Sequence, residues 1–243
     1  MRKYGILVRV YTPKPEEVPD RVERALGHAR HILEVMNEFP AMKRAIFLVP
    51  SDHDCKETLL ALRTRFAHEA ISISKITVLS FPGHHSCEVL NRGLTELQYD
   101  TSHALIVSGK MISYLTRAAL LSIDQAFERG AKVVGVAADE LRDIVLAGRI
   151  QNTFAGWDIT ALLDEYAFDS KGGVEEVAPL IRLARRFGRC IAPIDIDGGV
   201  LDVHASETAI ARHKEVMATK IARQTAECER LGSSFEFIRS AIM

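Results

Sequence analysis

The regular alternation of short apolar runs with longer amphipathic segments constrains the fold more than any other feature of the chain. Each run is rich in valine, isoleucine and leucine and ends near Pro, Gly, Ser or Asp, which is typical of a buried strand. Such runs occupy residues 4–11, 45–49, 76–81, 104–107 and 132–137. The intervening segments repeat apolar residues every three or four positions and predict helices at residues 18–39, 56–68, 87–97 and 112–129.

Strands alternating with helices at this spacing predict an α/β fold with a doubly wound, mostly parallel, Rossmann-like sheet, because parallel neighbours need right-handed crossovers. In such sheets ligands bind beyond the carboxyl ends of the strands. We therefore expect one ligand-binding rim, which would gather the loops at residues 11–14, 51–54, 82–86 and 108–110.

The segment Gln151–Glu176 breaks this rhythm. It holds the only tryptophan, Trp157, after a polar opening at Asn152 and Thr153, and it contains the break Gly172-Gly173. We predict that this segment is irregular, lies outside the core and folds over the rim. Around it the pattern predicts a short helix, a longer helix and a strand, at residues 140–147, 175–187 and 190–196.

Glu175 and Glu176 stand side by side at the start of the predicted helix. Free backbone N–H groups stabilise acids at a helix start, and two adjacent carboxylates in a cleft raise the pKa of one of them, as a general base requires. The alternative is a surface loop followed by an ordinary charged first turn.

A C-terminal helical tail follows, and we divide the chain into a domain at residues 1–203 and an extension at 204–243. Residues 205–231 carry a stripe with a repeat near 3.5 residues, which packs either on its own domain or on a second copy in a homodimer. The stripe consists of Ile210, His213, Met217, Ile221, Gln224, Cys228 and Leu231.

The amino-acid composition limits the classes of binding partner that we expect. Thirty-one basic and thirty-two acidic residues give a net charge of −1, which does not favour nucleic acid or an anionic membrane and leaves a small molecule or another protein. We expect no transmembrane segment, because the apolar runs are too short. Widely spaced cysteines without a secretory signal predict reduced thiols in a cytoplasmic protein, at Cys55, Cys87, Cys190 and Cys228.

Motifs for other chemistries are absent: no GxGxxG, GxxxxGK[ST] or GxSxG occurs. The pair His84-His85 could supply metal ligands, and so could Asp195 and Asp197 with Asp202 and His204. The alternative for the second group is a turn, in which Asp and Gly serve the backbone alone.

The order of the predicted strands, helices and motifs along the chain resembles that of the family 2 glycosyltransferases, whose fold is called GT-A. The likeness spans about residues 4–197 and is carried by a V-Y-like end of the first strand, an acidic D-x-S-x-D-like turn, an N-x-G-L helix and a G-x-E-D-like end of the acceptor segment followed by an arginine. The corresponding residues are Val10-Tyr11, Ser51-Asp52-His53-Asp54 with Thr58, Asn91-Arg92-Gly93-Leu94, Gly173-Val174-Glu175-Glu176 and Arg182.

The resemblance implies transfer of a sugar from a nucleotide-diphosphate sugar to an acceptor hydroxyl, with Glu176 and Glu175 as the catalytic acids. It implies an acceptor site at Asn152, Trp157 and Asp158. It implies that the sugar nucleotide contacts Tyr11, Thr12, Asp52, Asp54 and Asn91. We further expect Ser108 and Lys110, where the family has other residues, to contact the sugar nucleotide, with Lys110 near the diphosphate.

One departure affects the metal. The strand at residues 104–107 should end in the D-x-D that binds Mn or Mg in this family, but it ends in Ser108-Gly109-Lys110. Three explanations are open: Lys110 supplies the positive charge, the metal is held elsewhere, or transfer is lost. The two resulting hypotheses are a nucleotide-sugar-dependent transferase and an inactive GT-A-like binding or scaffold protein, and the metal stays unknown.

Overall fold

A seven-stranded sheet forms the centre of the molecule within the residues that the computed structural model describes, which are 2–10, 15–50, 55–69, 71, 74–81, 86–137, 142–163, 168–169, 174–196 and 207–243. The strands lie in the order β3-β2-β1-β4-β6-β5-β7. They are β1 Tyr4–Arg9, β2 Met42–Pro50, β3 Ile76–Phe81, β4 His103–Val107, β5 Val133–Ala137, β6 Phe154–Asp158 and β7 Ile191–Asp195.

Helices cover both faces of this sheet. They are α1 Val18–Glu38, α2 Lys56–His68, α3 Ser86–Leu97, α4 Arg117–Glu128, α5 Arg142–Leu146, α6 Ile159–Leu163, α7 Val177–Phe187, α8 Glu207–Arg230 and α9 Phe235–Ser240. A 3₁₀ helix, Gly109–Tyr114, precedes α4 and occupies the start of the helix that we predicted at residues 112–129.

Strand directions confirm the doubly wound, mostly parallel sheet. β1 runs parallel to β2 and β4, β2 runs parallel to β3, and β5 runs parallel to β7. Only β6 is antiparallel to its neighbours, β4 and β5. The carboxyl ends of β1 to β4 therefore lie on one edge of the sheet, which we call the rim. Residues 11–14, 51–54 and 82–85, which follow three of these strands, lie outside the described residues.

The prediction that residues 151–176 lie outside the core is wrong for β6. This strand lies between β4 and β5, and Phe154, Ala155 and Trp157 are buried. The sequence FAGWD lacks the β-branched residues of the other strands. The side chains of Leu105 and Phe127 pack on Gly156, and a Cβ there would lie 3.2 Å from atoms of both.

The core has two halves, one on each face of the sheet, because successive strand residues point to opposite sides. Ile6 of β1 packs with the half that includes α1, α2 and α4, whereas the adjacent Leu7 packs with the half that includes α3, α6 and α7. This arrangement leaves the rim free to carry polar groups. None of the helices in the described residues has the length and apolar composition that crossing a bilayer requires.

The described part of the tail packs on its own domain, as one of our two alternatives predicts. Gln224 and Cys228 of the predicted stripe are buried, and α8 contacts α7. The chain end extends this contact, since the Met243 backbone N–H donates to the Ile191 carbonyl at 3.0 Å. Side chains of residues 207–217 lie outside the description, so the homodimer and the division at residue 203 stay predictions.

Candidate functional site

Glu175 links the start of α7 to the rim. Its Oε1 accepts a hydrogen bond from Arg9 Nη1 at 3.0 Å, and Arg9 is the last residue of β1. The carboxylate is buried, whereas the Arg9 side chain is 33% exposed. An acid in this position is stabilised by its charged partner rather than by water. The contact brings Glu175 to the edge at which ligands bind in parallel sheets.

Glu176 is completely buried, and its two oxygens differ in their surroundings. Gln224 Nε2 donates to its Oε1 at 2.8 Å, and Lys220 Nζ lies 3.3 Å from the same oxygen. Its Oε2 has no hydrogen-bond partner among the described residues. The alternative of a surface loop with an ordinary charged turn is therefore wrong for both glutamates.

Burial raises the pKa of Glu176 above its ordinary value, because the ionised form loses its hydration. The positive charge of Lys220 opposes this effect, and the nearby carboxylate of Glu175 adds to it. A buried carboxylate with a raised pKa, one oxygen of which has no partner in the described part of the chain, can take a proton from a hydroxyl group that reaches it.

Lys110 provides a positive charge at the end of β4. It is exposed on the 3₁₀ helix Gly109–Tyr114, which follows Ser108, and the Ser108 N–H donates to the Thr153 carbonyl at 2.7 Å. Gly109 lies close to His28, since a Cβ there would come within 2.8 Å of the imidazole. Burial, followed by the charges of His31 and Arg24, lowers the pKa of His28 and favours its neutral form.

The residues at this position do not fit a divalent metal of the GT-A kind. Residues 108–110 contain no carboxylate, and hard divalent cations need several oxygen ligands. Within the described ranges, no cluster of three or more His, Cys, Asp or Glu side chains could hold an ion. Asp195, one of our candidates, is paired with Arg142 at 3.0 Å. The remaining candidates, His84, His85, Asp197, Asp202 and His204, lie outside the described residues.

Asn91, which we predicted to contact the sugar nucleotide, is engaged in the fold. Its Nδ2 donates to the Phe168 carbonyl at 2.8 Å, and its Oδ1 accepts from the Phe168 N–H at 2.9 Å. This reciprocal pair fixes a loop residue against α3, so we do not carry the ligand role forward. The predicted contacts Tyr11, Thr12, Asp52 and Asp54 lie outside the described residues.

The three predicted acceptor residues do not form one surface. Trp157 is buried against Phe168 with ring centroids 5.1 Å apart, and its Nε1 donates to Asn152 Oδ1 at 3.0 Å. Asp158 pairs with Lys132 at 2.9 Å and accepts from the Ala161 N–H in the first turn of α6. Because β6 is antiparallel, Asp158 lies at the edge opposite the rim, and only Asn152 lies near Ser108.

Five buried polar atoms have no hydrogen-bond partner among the described residues: Gln151 Oε1, Asn152 Nδ2, Thr153 Oγ1, Glu176 Oε2 and Gln224 Oε1. Contacts connect the segments that carry them. Gln151 Nε2 donates to the Arg149 carbonyl, and the Arg149 guanidinium reaches the Ile221 carbonyl at 3.4 Å and Thr225 Oγ1 at 3.3 Å on α8. Buried polar atoms normally have partners, so each of these atoms is suited to a hydrogen bond with a ligand hydroxyl group or with water.

Sequence reasoning missed the partners of the two glutamates: Arg9, Lys220 and Gln224. The sequence around Arg9 did contain an indication of its role, because Arg9 is a charged residue near the end of an apolar strand. Gln224 had a weaker one, since it is a polar residue within the apolar stripe of the tail. Lys220 precedes Gln224 by one helical turn, but nothing in the sequence indicates that both face Glu176.

Comparisons with solved structures identify the fold. A mannosyltransferase from Pyrobaculum calidifontis, solved in complex with GDP-Man and Mn²⁺, matches with a TM-score of 0.61 and 14% identity over 99% of this chain and 68% of that chain. The chain therefore has the same fold as this mannosyltransferase. The 4-diphosphocytidyl-2C-methyl-D-erythritol synthase from Anaerococcus prevotii matches with a TM-score of 0.50 and 13% identity, over 89% of this chain and 99% of that chain. No protein-family model and no curated protein sequence matches the chain.

Proposed function

We propose that this protein transfers a sugar from a nucleotide-diphosphate sugar to an acceptor hydroxyl. The observation that carries the proposal is the environment of Glu176: one carboxylate oxygen is held by Lys220 and Gln224, and the other is buried without a partner among the described residues. The fold agrees with this function, since the matched mannosyltransferase was solved with GDP-Man.

Glu176 is the general base of the proposed reaction. Its Oε2 takes the proton from the acceptor hydroxyl while the hydroxyl oxygen bonds to the anomeric carbon, and the nucleoside diphosphate leaves with the electron pair of the broken bond. Because Glu176 is enclosed, an acceptor must displace neighbouring groups to reach Oε2. The same enclosure keeps bulk water from competing with the acceptor.

Lys110 is proposed to stabilise the departing diphosphate. It is exposed at the end of β4, and an ammonium group neutralises phosphate charge as a point cation. Residues 108–110 offer no carboxylate for a metal, so the positive charge at this position comes from the protein. Ser108 is adjacent, and we expect Tyr11, Thr12, Asp52 and Asp54 to contact the nucleotide.

Asn152 and Thr153 are proposed to bind the acceptor. Asn152 Nδ2 can donate a hydrogen bond, and Thr153 Oγ1 can both donate and accept. Both residues come just before β6, beside Ser108. A sugar acceptor suits this pair, because its hydroxyl groups also donate and accept.

The test is Glu176→Gln, which keeps the side-chain shape and removes the proton acceptor. Released nucleoside diphosphate is measured with UDP- and GDP-sugars and a panel of simple glycoside acceptors, and donor binding is measured by calorimetry. We expect transfer to fall by about 100-fold or more while donor binding stays nearly constant. Glu229→Gln, which changes an exposed glutamate of α8, is the matched control and keeps the wild-type rate.

Two results would contradict the proposal. An unchanged transfer rate in Glu176→Gln would exclude this residue as the base. Donor binding without transfer in the wild-type protein, across the whole acceptor panel, would favour the inactive binding or scaffold protein instead.

A further inference from the structure

The first turn of α7 receives an unusual pair of contacts from the C-terminal helix. Lys220 and Gln224 are separated by one helical turn of α8, so their side chains lie on one face of it. Both reach the same atom, Glu176 Oε1, at 3.3 and 2.8 Å. Gln224 is buried, and the Lys220 side chain is 20% exposed.

We propose that Lys220 and Gln224 are positioning residues of the active site, which hold Oε1 of Glu176 and direct Oε2 towards the acceptor hydroxyl. The tail would then be a functional part of the transferase rather than an appendage. This inference rests on the proposed function, because it assigns the two residues a role in orienting the general base.

Both contacts go to one carboxylate oxygen of Glu176, which favours a positioning role over simple stabilisation. A buried ion pair adds little to stability compared with well-packed apolar side chains, because both charges lose their hydration. Here both α8 residues act on one oxygen, and the described residues leave the other oxygen without a partner. A purely structural carboxylate would be expected to have both oxygens satisfied.

Burial has the largest effect on the protonation of Glu176, and the charges around it modify that effect. Lys220 faces it from α8 and favours the ionised form, whereas Glu175 beside it disfavours that form. Arg9 of β1 pairs with Glu175 and partly offsets its charge. Because Lys220 is the positive group that contacts Glu176 directly, removing its charge should make the carboxylate bind a proton more tightly.

The experiment compares Lys220→Met with the wild-type protein by carbon NMR of isotope-labelled glutamate carboxyl groups, with the Glu176 signal assigned from Glu176→Gln. We expect the Glu176 titration to move to higher pH by about one pH unit or more, the scale of an opposite charge within about 4–6 Å. The acid limb of the kcat/KM profile should move by a similar amount, so that activity lost at neutral pH returns at higher pH.

Arg223→Met is the matched control, because it removes a positive charge from an exposed position of the same helix. It should leave the Glu176 titration unchanged. Gln224→Leu keeps the charges but removes the donor to Oε1, and we expect it to lower kcat more than it changes KM. Where Lys220→Met does not fold, Lys220→Gln keeps a polar side chain without the charge and serves the same test.

The outcomes separate this inference from the proposed function. An unchanged Glu176 titration in folded Lys220→Met would overturn the role of α8, even if Glu176-dependent transfer is present. A shifted titration in Lys220→Met, together with no transfer by the wild-type protein, would support the contact but overturn the assignment to a catalytic site. A shifted titration together with a shifted kcat/KM profile would support both.

Discussion

Trp157 offers a sharp test of the site, because sequence reasoning assigned it to the acceptor and the structure buries it in β6. Its indole packs edge-on against Phe168, and its Nε1 donates to Asn152 Oδ1 at 3.0 Å. The substitution Trp157→Phe keeps an aromatic ring and removes the N–H group. We therefore expect lost stability rather than the loss of a direct contact between the indole and the acceptor.

The magnitude follows from two losses. The Oδ1 of a buried asparagine is left without its donor, which costs about 1–3 kcal/mol. The smaller ring leaves apolar surface and space unfilled, at a further cost of about 1 kcal/mol. The free energy of unfolding should fall by roughly 2–4 kcal/mol. For a chain of this size that lowers Tm by roughly 5–15 °C.

Thermal unfolding measures this change, with Tyr99→Phe as the control because Tyr99 is 80% exposed. The control should shift Tm by a small fraction of that amount. Trp157 is the only tryptophan, so its fluorescence in the folded wild-type protein reports one site. Emission should be blue-shifted relative to the unfolded protein and weakly quenched by acrylamide.

A different result would refute this reasoning. If Trp157→Phe kept the wild-type Tm, and acrylamide quenched the folded protein as strongly as the unfolded one, the indole would be exposed. Protection from quenching by added sugar acceptors would then restore the acceptor role that the sequence suggested.

Three further predictions concern buried groups. Burial lowers the pKa of His103 to about 4, so acid favours the unfolded chain, and the free energy of unfolding should fall by roughly 2–3 kcal/mol between pH 6.5 and pH 4 in urea titrations. Burial raises the pKa of Cys190 and Cys228 to about 11, so both thiols should react with iodoacetamide about tenfold or more slower than the partly exposed Cys87. Burial also raises the pKa of Glu176, so Glu176→Gln should raise Tm, and by more at pH 8 than at pH 5.

Strands with continuous apolar runs could be predicted from the sequence, and β6 could not. Parallel strands covered on both faces carry such runs, as β1 and β4 do. In β6 the central position is Gly156, and a Cβ there would lie 3.2 Å from atoms of Leu105 and Phe127, so the packing of other elements favours a small residue. That preference depends on tertiary contacts, so a short run without β-branched residues resembles a loop.

The candidate site was predictable in part. The adjacent acids Glu175 and Glu176 mark the start of α7, and both are buried, with Glu175 paired to Arg9 at the rim. Their catalytic role stays a prediction. Asn91 and Asp158 bond to backbone groups in the fold, and such polar residues resemble ligand-binding residues in a sequence. Lys220 could not be predicted to contact Glu176, because helical periodicity defines a face but not its partner.

Calorimetric titration with UDP- and GDP-sugars, with and without Mn, tests the central claim most directly. We expect a nucleotide sugar to bind with little dependence on Mn, and Lys110→Ala to weaken binding by roughly 1–3 kcal/mol, the scale of a charge-assisted contact. Lys43→Ala is the matched control, because Lys43 is exposed near the start of β2, at the edge opposite the rim, and should bind like the wild-type protein. The account would be contradicted by a wild-type protein that binds no nucleotide sugar, or by binding that depends strongly on Mn and is unaffected in Lys110→Ala.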